Sequence, residues 1–349
     1  MTSAIAGEAF RSLVALVAPG IALALALLAG PAGIAAQGVG NGPFRVPEQH
    51  PVYGLFLTPR PERAQLLPTG SLEFAVRTTY SNVFEFARAE AVEATFDYER
   101  WTNTAELVWA PRAGFEVGIR TALVTGWGGF LDGLVQWYHQ RLDLPNGDRE
   151  DVENGDFEVS LVTRGDSLVS LGSGTHVADP VVWIALPILE GDRALAARVS
   201  MKVPVGSDDW SSNRVDLAVQ LDGRRVFTRW AAYGGVAVGT VNPGARLEGY
   251  TASSAVSLHA GLERSLGETW GALVQLQGSS PFLRDLGHRE LDRAPVNLGV
   301  GLTGRTRSGW LWQAAFTEDI RADSPAVDFT IDLHLSRRLG GPGGQGGSG

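Results

Sequence analysis

Residues 327–336 have the sequence VDFTIDLHLS. Every second residue from Val327 to Leu335 is apolar, whereas the residues between them, from Asp328 to Ser336, are polar. A period of two places the two sets on opposite faces of a β-strand. The same period recurs upstream, in segments 72–77, 215–222, 256–263, 270–277 and 310–317. Beyond residue 70 the sequence therefore predicts an all-β protein.

Turn signals divide this region into about twelve antiparallel strands, with a range of about ten to fourteen. The predicted strands are 71–84, 92–110, 115–125, 179–189, 194–203, 214–222, 225–239, 251–264, 269–278, 295–305, 309–318 and 326–338. Short turns that carry Gly or Asp lie near 111–114, 190–193, 222–224, 265–268 and 305–309. Longer loops lie between them at 85–91, 126–178, 204–213, 240–250, 279–294 and 319–325. Short turns on one side and long loops on the other are the layout of outer-membrane β-barrels.

The first 36 residues have the features of a signal peptide. Arg11 supplies a positive charge, the segment from Leu13 to Leu28 is largely apolar, and Ala35 and Ala36 offer small residues for cleavage. A membrane anchor is the alternative, but proline and glycine interrupt the apolar run. After cleavage, we expect the chain in the bacterial outer membrane. A soluble periplasmic β-protein remains the other interpretation.

Composition excludes several functional classes. The chain has no cysteine, which rules out disulfides, thiol catalysis and a lipidated N-terminal cysteine. A net charge of −9 argues against a nucleic-acid partner. No phosphate-binding, dinucleotide-binding or EF-hand motif is present, so we expect no cofactor. The acidic run 148–156 contains five carboxylates, and we expect a solvated surface loop there, with a weak Ca²⁺ site as the alternative.

The two faces of the strands predict where lipid lies. Trp270, Trp310 and Trp312 lie near turns on the apolar face, as in an interfacial aromatic girdle. The polar face would then line the lumen, with charges of both signs that pair with one another across or along the wall. The lumen candidates are Arg77, Glu106, Arg120, Arg198, Lys202, His259, Asp332 and His334, together with Glu73, Arg100, Glu116, Asp216, Glu263 and Asp328. A packed polar lining and a path for a solute both fit this pattern.

Segments outside the alternating pattern predict additional features. Residues 37–70 are rich in proline but contain aromatic residues, which favours a partial plug in the periplasmic mouth over a disordered leader. The barrel itself covers 71–339, and the glycine-rich tail 340–349 is expected to be disordered. The insert 126–178 contains a predicted helix over 129–142 and a predicted hairpin formed by 157–162 and 168–171.

The insert 126–178 carries a second group of ligand candidates, on the predicted helix and just after it. Asp132, His139 and Arg149 could bind an anionic or aromatic ligand that stacks on Trp137 and Tyr138. A helix that only packs on the barrel mouth is the alternative. We expect no metal site here.

Five stretches resemble a known family. They are Asn41–Phe44, Leu131–His139, Leu144–Arg149, Lys202–Gly206 and Phe316–Asp319. Together they are similar to the proteobacterial domain of unknown function 3187 family, and loosely similar to the outer-membrane family named for a phenol meta-pathway protein. The resemblance covers roughly residues 41–339 and departs from the family at Val205. It implies an outer-membrane β-barrel and no particular substrate.

Three functions follow from these observations. We expect a passive channel or carrier for small molecules, partly gated by 126–178, with lipid and a small solute as partners. A closed barrel with a structural or surface-binding role is the alternative. An acyl hydrolase would need His259 with Ser257 or His334 with Ser336, but residues two apart on a strand lie about 6.5–7 Å apart. We therefore expect no enzymatic activity.

Overall fold

The chain folds into a closed antiparallel β-barrel of twelve strands, as the alternation predicts. The structure is a computed structural model that describes residues 40–130, 133, 137, 141, 155–321, 325 and 327–341. The wall consists of β1 (Leu72–Ala89), β2 (Val92–Arg112), β3 (Phe115–Trp127), β7 (Val181–Leu189), β8 (Arg193–Lys202), β9 (Asp216–Phe227), β10 (Trp230–Thr240), β11 (Ser254–Ser265), β12 (Trp270–Ser279), β13 (Val296–Arg305), β14 (Trp310–Asp319) and β15 (Phe329–Leu339). No helix among the described residues has the length and apolar character needed to cross a membrane.

The first and last strands close the barrel. β1 pairs with β15 in antiparallel register from Leu72 opposite Leu339 to Asn82 opposite Phe329. Each remaining wall strand pairs with its neighbour in the chain, and β3 pairs with β7 across the insert. The predicted signal peptide, most of the predicted helix over 129–142 and most of the tail lie outside the described residues.

Three short strands from the insert extend the wall on its extracellular side. They are β4 (Glu158–Thr163), β5 (Asp166–Ser170) and β6 (Gly174–Val177). β4 pairs with the first residues of β2 and with β5, whereas β6 pairs with the end of β3. The predicted hairpin around Gly165 is confirmed. At 18 and 21 residues, β1 and β2 exceed the roughly 9–11 residues that cross a bilayer.

Two turn predictions were wrong. The expected loop 85–91 is a tight hairpin in which Ala89 pairs with Val92, because one face of its strands is buried under other extracellular elements. The expected turn at 222–224 is continuous strand, and the chain turns at Thr228–Arg229 instead. Asp222 does not start a turn, because its carboxylate points into the barrel and accepts a hydrogen bond from the side chain of Gln220 at 2.8 Å.

The apolar face of the strands is on the outside, as predicted. Exposed side chains on the outer surface include Phe74, Val76, Trp109, Ile119, Ile184, Val199, Leu217, Val219, Leu262, Val274, Val300, Phe316, Ile331 and Leu333. The intervening residues point inward and are buried, for example Thr330, Asp332 and His334 on β15. An apolar exterior around a polar interior is the arrangement of a barrel that meets lipid and not of a soluble β-sandwich.

Candidate functional site: the barrel interior

Polar and charged side chains line the interior of the barrel. Buried in it are the lumen candidates Arg77, Glu106, Arg198, Lys202, His259, Asp332 and His334, and Arg120 is mostly buried. Burial of so many charges requires partners, because an unpaired ion is costly to remove from water. The partners come partly from the wall and partly from the residues that precede β1.

Residues 40–70, here called the inner segment, lie inside the barrel. The segment enters beside β11 and β12, where the Gly40 and Asn41 N–H groups each donate to Glu263 at 3.1 Å. It reaches its apex in a short 3₁₀ turn at Tyr53–Leu55. It then returns to β1, and the Leu67 N–H donates to Glu116 at 3.0 Å. None of its residues forms a strand. Most of its contacts with the wall therefore involve a side chain of the segment or of the wall, and few join two backbone groups.

A network of ion pairs occupies the middle of the lumen. Glu106 on β2 accepts from Arg45 at 2.7 Å and also from Arg60, which both belong to the inner segment. Glu62 accepts from Arg60 at 2.8 Å and pairs with Arg120 on β3 at 3.4 Å. All except Arg120 have less than a tenth of the side chain exposed. These contacts fix both limbs of the inner segment to one side of the wall.

A second ionic contact lies nearer the periplasmic mouth. Arg63 bridges Glu73 on β1 at 2.5 Å and Glu116 on β3 at 2.9 Å. Glu116 also lies 3.8 Å from Arg198 on β8. The inner segment therefore brings together carboxylates from separate strands.

Two further pairs hold wall residues together. Arg77 on β1 pairs with Asp332 on the neighbouring β15, in accordance with the expectation of pairing along the wall. Lys202 lies 3.2 Å from Asp216 and 3.4 Å from Asp179, and its ammonium also donates to the Leu55 carbonyl at 2.6 Å. The lumen lysine thus joins the wall to the apex of the inner segment.

Apolar contacts close the extracellular end. The apex residues Val52, Tyr53, Leu55 and Phe56 are buried in a cluster, here called the apolar cap, with residues of β1, β2, β4, β5 and the extracellular loops. The ring of Tyr53 stacks on Phe282 with centroids 4.4 Å apart. Burial raises the pKa of the Tyr53 phenol well above its ordinary value, so the group stays neutral. Smaller apolar clusters surround Phe44, Leu57 and Leu67 lower in the barrel.

A small cavity remains in the lumen beside the inner segment. A cavity of about 40 Å³ lies between the limbs of the inner segment and the wall near His259 and Gln277. A water molecule needs about 10–15 Å³ on this measure, so this cavity has room for a few waters.

The histidines do not form the dyads that a hydrolase would need. His259 lies 3.8 Å from Asp222, and His334 lies 3.3 Å from Arg45. Within the described part of the chain, the Ser336 hydroxyl and His334 Nδ1 each lack a hydrogen-bond partner, so the two do not contact each other.

The candidates on the insert are only partly described. Trp137 is 60% exposed, in contrast to the buried lumen candidates. Asp132, His139 and Arg149 lie outside the described residues, as does the acidic run except Asp156. Among the described residues there is no group of three or more potential metal ligands.

Sequence reasoning missed the charged residues of the inner segment. Arg45, Arg60, Glu62 and Arg63 are among the principal partners of the lumen wall. The available signal was the combination of five charged residues with aromatic residues in a proline-rich segment, because a disordered leader has no need of the aromatic residues.

The closed twelve-stranded wall, its apolar exterior and its polar interior define an outer-membrane β-barrel with an occupied lumen. The family described as "Protein of unknown function (DUF3187)" matches residues 22–339, and the chain belongs to this family. No curated protein matches the sequence.

Solved structures share the fold at low sequence identity. The COG4313 outer membrane channel from Pseudomonas putida F1 is similar with a TM-score of 0.53 and 14% identity, over 80% of this chain and 99% of that one. The NanC porin is similar with a TM-score of 0.44 and 7% identity, over 76% and 100% of the two chains. The first similarity supports the barrel fold, and the second is too weak to support any argument.

Proposed function

We propose that this protein is a passive channel or carrier for small molecules in the outer membrane, closed in the described conformation by the inner segment. One observation carries the proposal: the obstruction is not part of the wall. Residues 40–70 form no strand, so they can move without breaking the sheet. In this role the protein has lipid and a small solute as partners and performs no catalysis.

The size of the barrel supports the same role. Side chains alone fill an eight-stranded barrel, whereas barrels of 16–18 strands enclose an aqueous channel. Twelve strands lie between these limits and leave room that the inner segment occupies. The similar protein from Pseudomonas putida F1 is an outer membrane channel, which is in keeping with this proposal.

Displacement of the inner segment would expose a wall that water can solvate. The polar contacts of the segment with the wall include ion pairs with Glu106 and hydrogen bonds to Glu116, Asp216 and Glu263. Water can replace such partners, whereas exposed apolar surface would be costly. The apolar cap and the three smaller clusters oppose displacement, and gating by the insert 126–178 stays a prediction.

Planar-bilayer recordings of the refolded protein test the proposal. The variant Glu62→Gln/Glu106→Gln removes both carboxylates of the central network and leaves Arg45 and Arg60 unpaired. Loss of a buried ionic partner destabilises the closed state by about 3–5 kcal/mol. Because water solvates the two arginines once the inner segment leaves the lumen, the open probability should rise about 100-fold or more. The matched control is Glu93→Gln, because Glu93 pairs with Arg88 on the exposed β1–β2 hairpin.

A closed barrel with a structural or surface-binding role is the second candidate. The observation that favours it is the apolar cap, in which Val52, Phe282 and Leu283 are fully buried. The same recordings separate the two functions. If wild type, the double variant and the control are folded by gel mobility and all remain silent, the channel proposal is wrong and the closed barrel replaces it.

A further inference from the structure

A second cavity, of about 100 Å³, lies at the periplasmic mouth between the inner segment and the wall. Its charged lining is almost entirely basic, and Glu73 is the only acidic residue among the described lining residues. The basic residues are Arg45, Arg63, Arg224, Arg305 and Arg338. Two of these five guanidinium groups have carboxylate partners: Arg45 pairs with Glu106 and Arg63 with Glu73 and Glu116.

The other three arginines form no close ion pair, and the carboxylates that act on them, among them Glu73 and Glu263, do so from a longer distance. Within the described residues, Arg224, Arg305 and Arg338 have no carboxylate within 4.0 Å. Arg305 Nε donates to the Asn41 side chain at 3.0 Å, and an Nη of Arg224 donates to the Gly191 carbonyl at 3.0 Å. Both acceptors are neutral.

Buried donors without acceptors also face this region. In the described part of the chain, Nε of Arg63 and Nε of Arg224 are buried and have no hydrogen-bond partner. A buried N–H group without an acceptor is unfavourable, and an arginine fork matches the oxygens of phosphate and carboxylate. Arg305 and Arg338 are exposed, so an ion can reach them from the periplasm.

We propose that this cavity binds one small oxyanion, a phosphate or a carboxylate group, between the inner segment and the ends of β9, β13 and β15. The volume corresponds to several water-sized groups, since one water needs about 10–15 Å³. It suits a single phosphate or carboxylate and excludes a nucleotide. The site shares Arg45 with the central network but does not require the lumen to open.

Calorimetric titration of the detergent-solubilised full-length protein with inorganic phosphate, at constant ionic strength, tests the site. The variant Arg305→Gln/Arg338→Gln removes two exposed guanidinium groups that have no ion pair, so the fold should persist. The control Arg229→Gln/Arg307→Gln removes the same charge from exposed turn residues at the same mouth that do not line the cavity. We expect saturable binding by wild type and control, and affinity weaker by about tenfold or more in the first variant.

A lipid arm separates the two sources of the anion. The same three proteins are placed in nanodiscs of phosphatidylcholine with or without phosphatidylglycerol, and bound lipid is counted by native mass spectrometry. If wild type and control retain phosphatidylglycerol and no longer bind inorganic phosphate in its presence, the site binds a lipid headgroup. If phosphatidylglycerol does not reduce the binding of inorganic phosphate, the site binds a free anion. If Arg305→Gln/Arg338→Gln matches the control for both ligands, these arginines are solvated surface charges and the proposal fails.

Discussion

Lys202 is the only lysine of the chain, and it joins three parts of the molecule. Its ammonium lies near Asp179 and Asp216, and it also donates to the Leu55 carbonyl and the Ser212 hydroxyl. The alternation of β8 predicted that Lys202 points inward. Its partners were not predictable, because Leu55 lies 147 residues away in a segment without any period.

At this residue, Lys202→Met should destabilise the folded barrel. The substitution keeps the volume of the side chain but leaves Asp179 and Asp216 buried without their cation, which costs about 3–5 kcal/mol. Urea unfolding in lipid vesicles, followed by tryptophan fluorescence, measures the change. Arg88→Met is the control, since its exposed pair with Glu93 is worth about 0–1 kcal/mol. Equal unfolding midpoints for the two variants would contradict the role of Lys202.

Among the elements, the wall strands were predictable and the inner segment was only partly so. A strand that separates lipid from a polar lumen must alternate, so β11, β12, β14 and β15 can be recognised from sequence alone. The β1–β2 hairpin extends above the membrane, where Phe84, Phe86 and Ala87 follow no clean alternation. The inner segment shows no regular alternation of apolar and polar residues, because the surroundings of its side chains differ from one residue to the next. Its role as a plug stays a prediction.

The apex of the inner segment should contribute strongly to the stability of the apolar cap. Tyr53→Ala removes the ring that stacks on Phe282, and truncation of a buried aromatic residue costs about 3–5 kcal/mol. Tyr53→Phe keeps the ring and loses only the hydroxyl, which accepts from the Phe282 N–H at 3.3 Å, so we expect a loss of about 1 kcal/mol. Thermal unfolding monitored by heat-modifiable gel mobility compares the two. A similar loss in both variants would show that stacking does not hold the apex.

For the whole molecule, the outward apolar surface predicts which tryptophans meet lipid. Trp109 is 51% exposed on the outer face of β2 beside the periplasmic turn, whereas Trp210 is buried in the apolar cap. In bilayers of brominated phosphatidylcholine, Trp109→Phe should reduce the lipid-quenched part of the fluorescence. Trp210→Phe should reduce only the unquenched part. The reverse result would place the outer face of β2 away from lipid.

The path of the inner segment has a topological consequence. The segment begins beside Glu263 at the periplasmic mouth, reaches the apolar cap, and returns to that same mouth where Gly70 donates to the Ala110 carbonyl. The inner segment is therefore a loop that enters and leaves the barrel at the same mouth, and it does not pass through the barrel from one side to the other. Withdrawal of such a loop would need neither cleavage of the chain nor opening of the seam between β1 and β15.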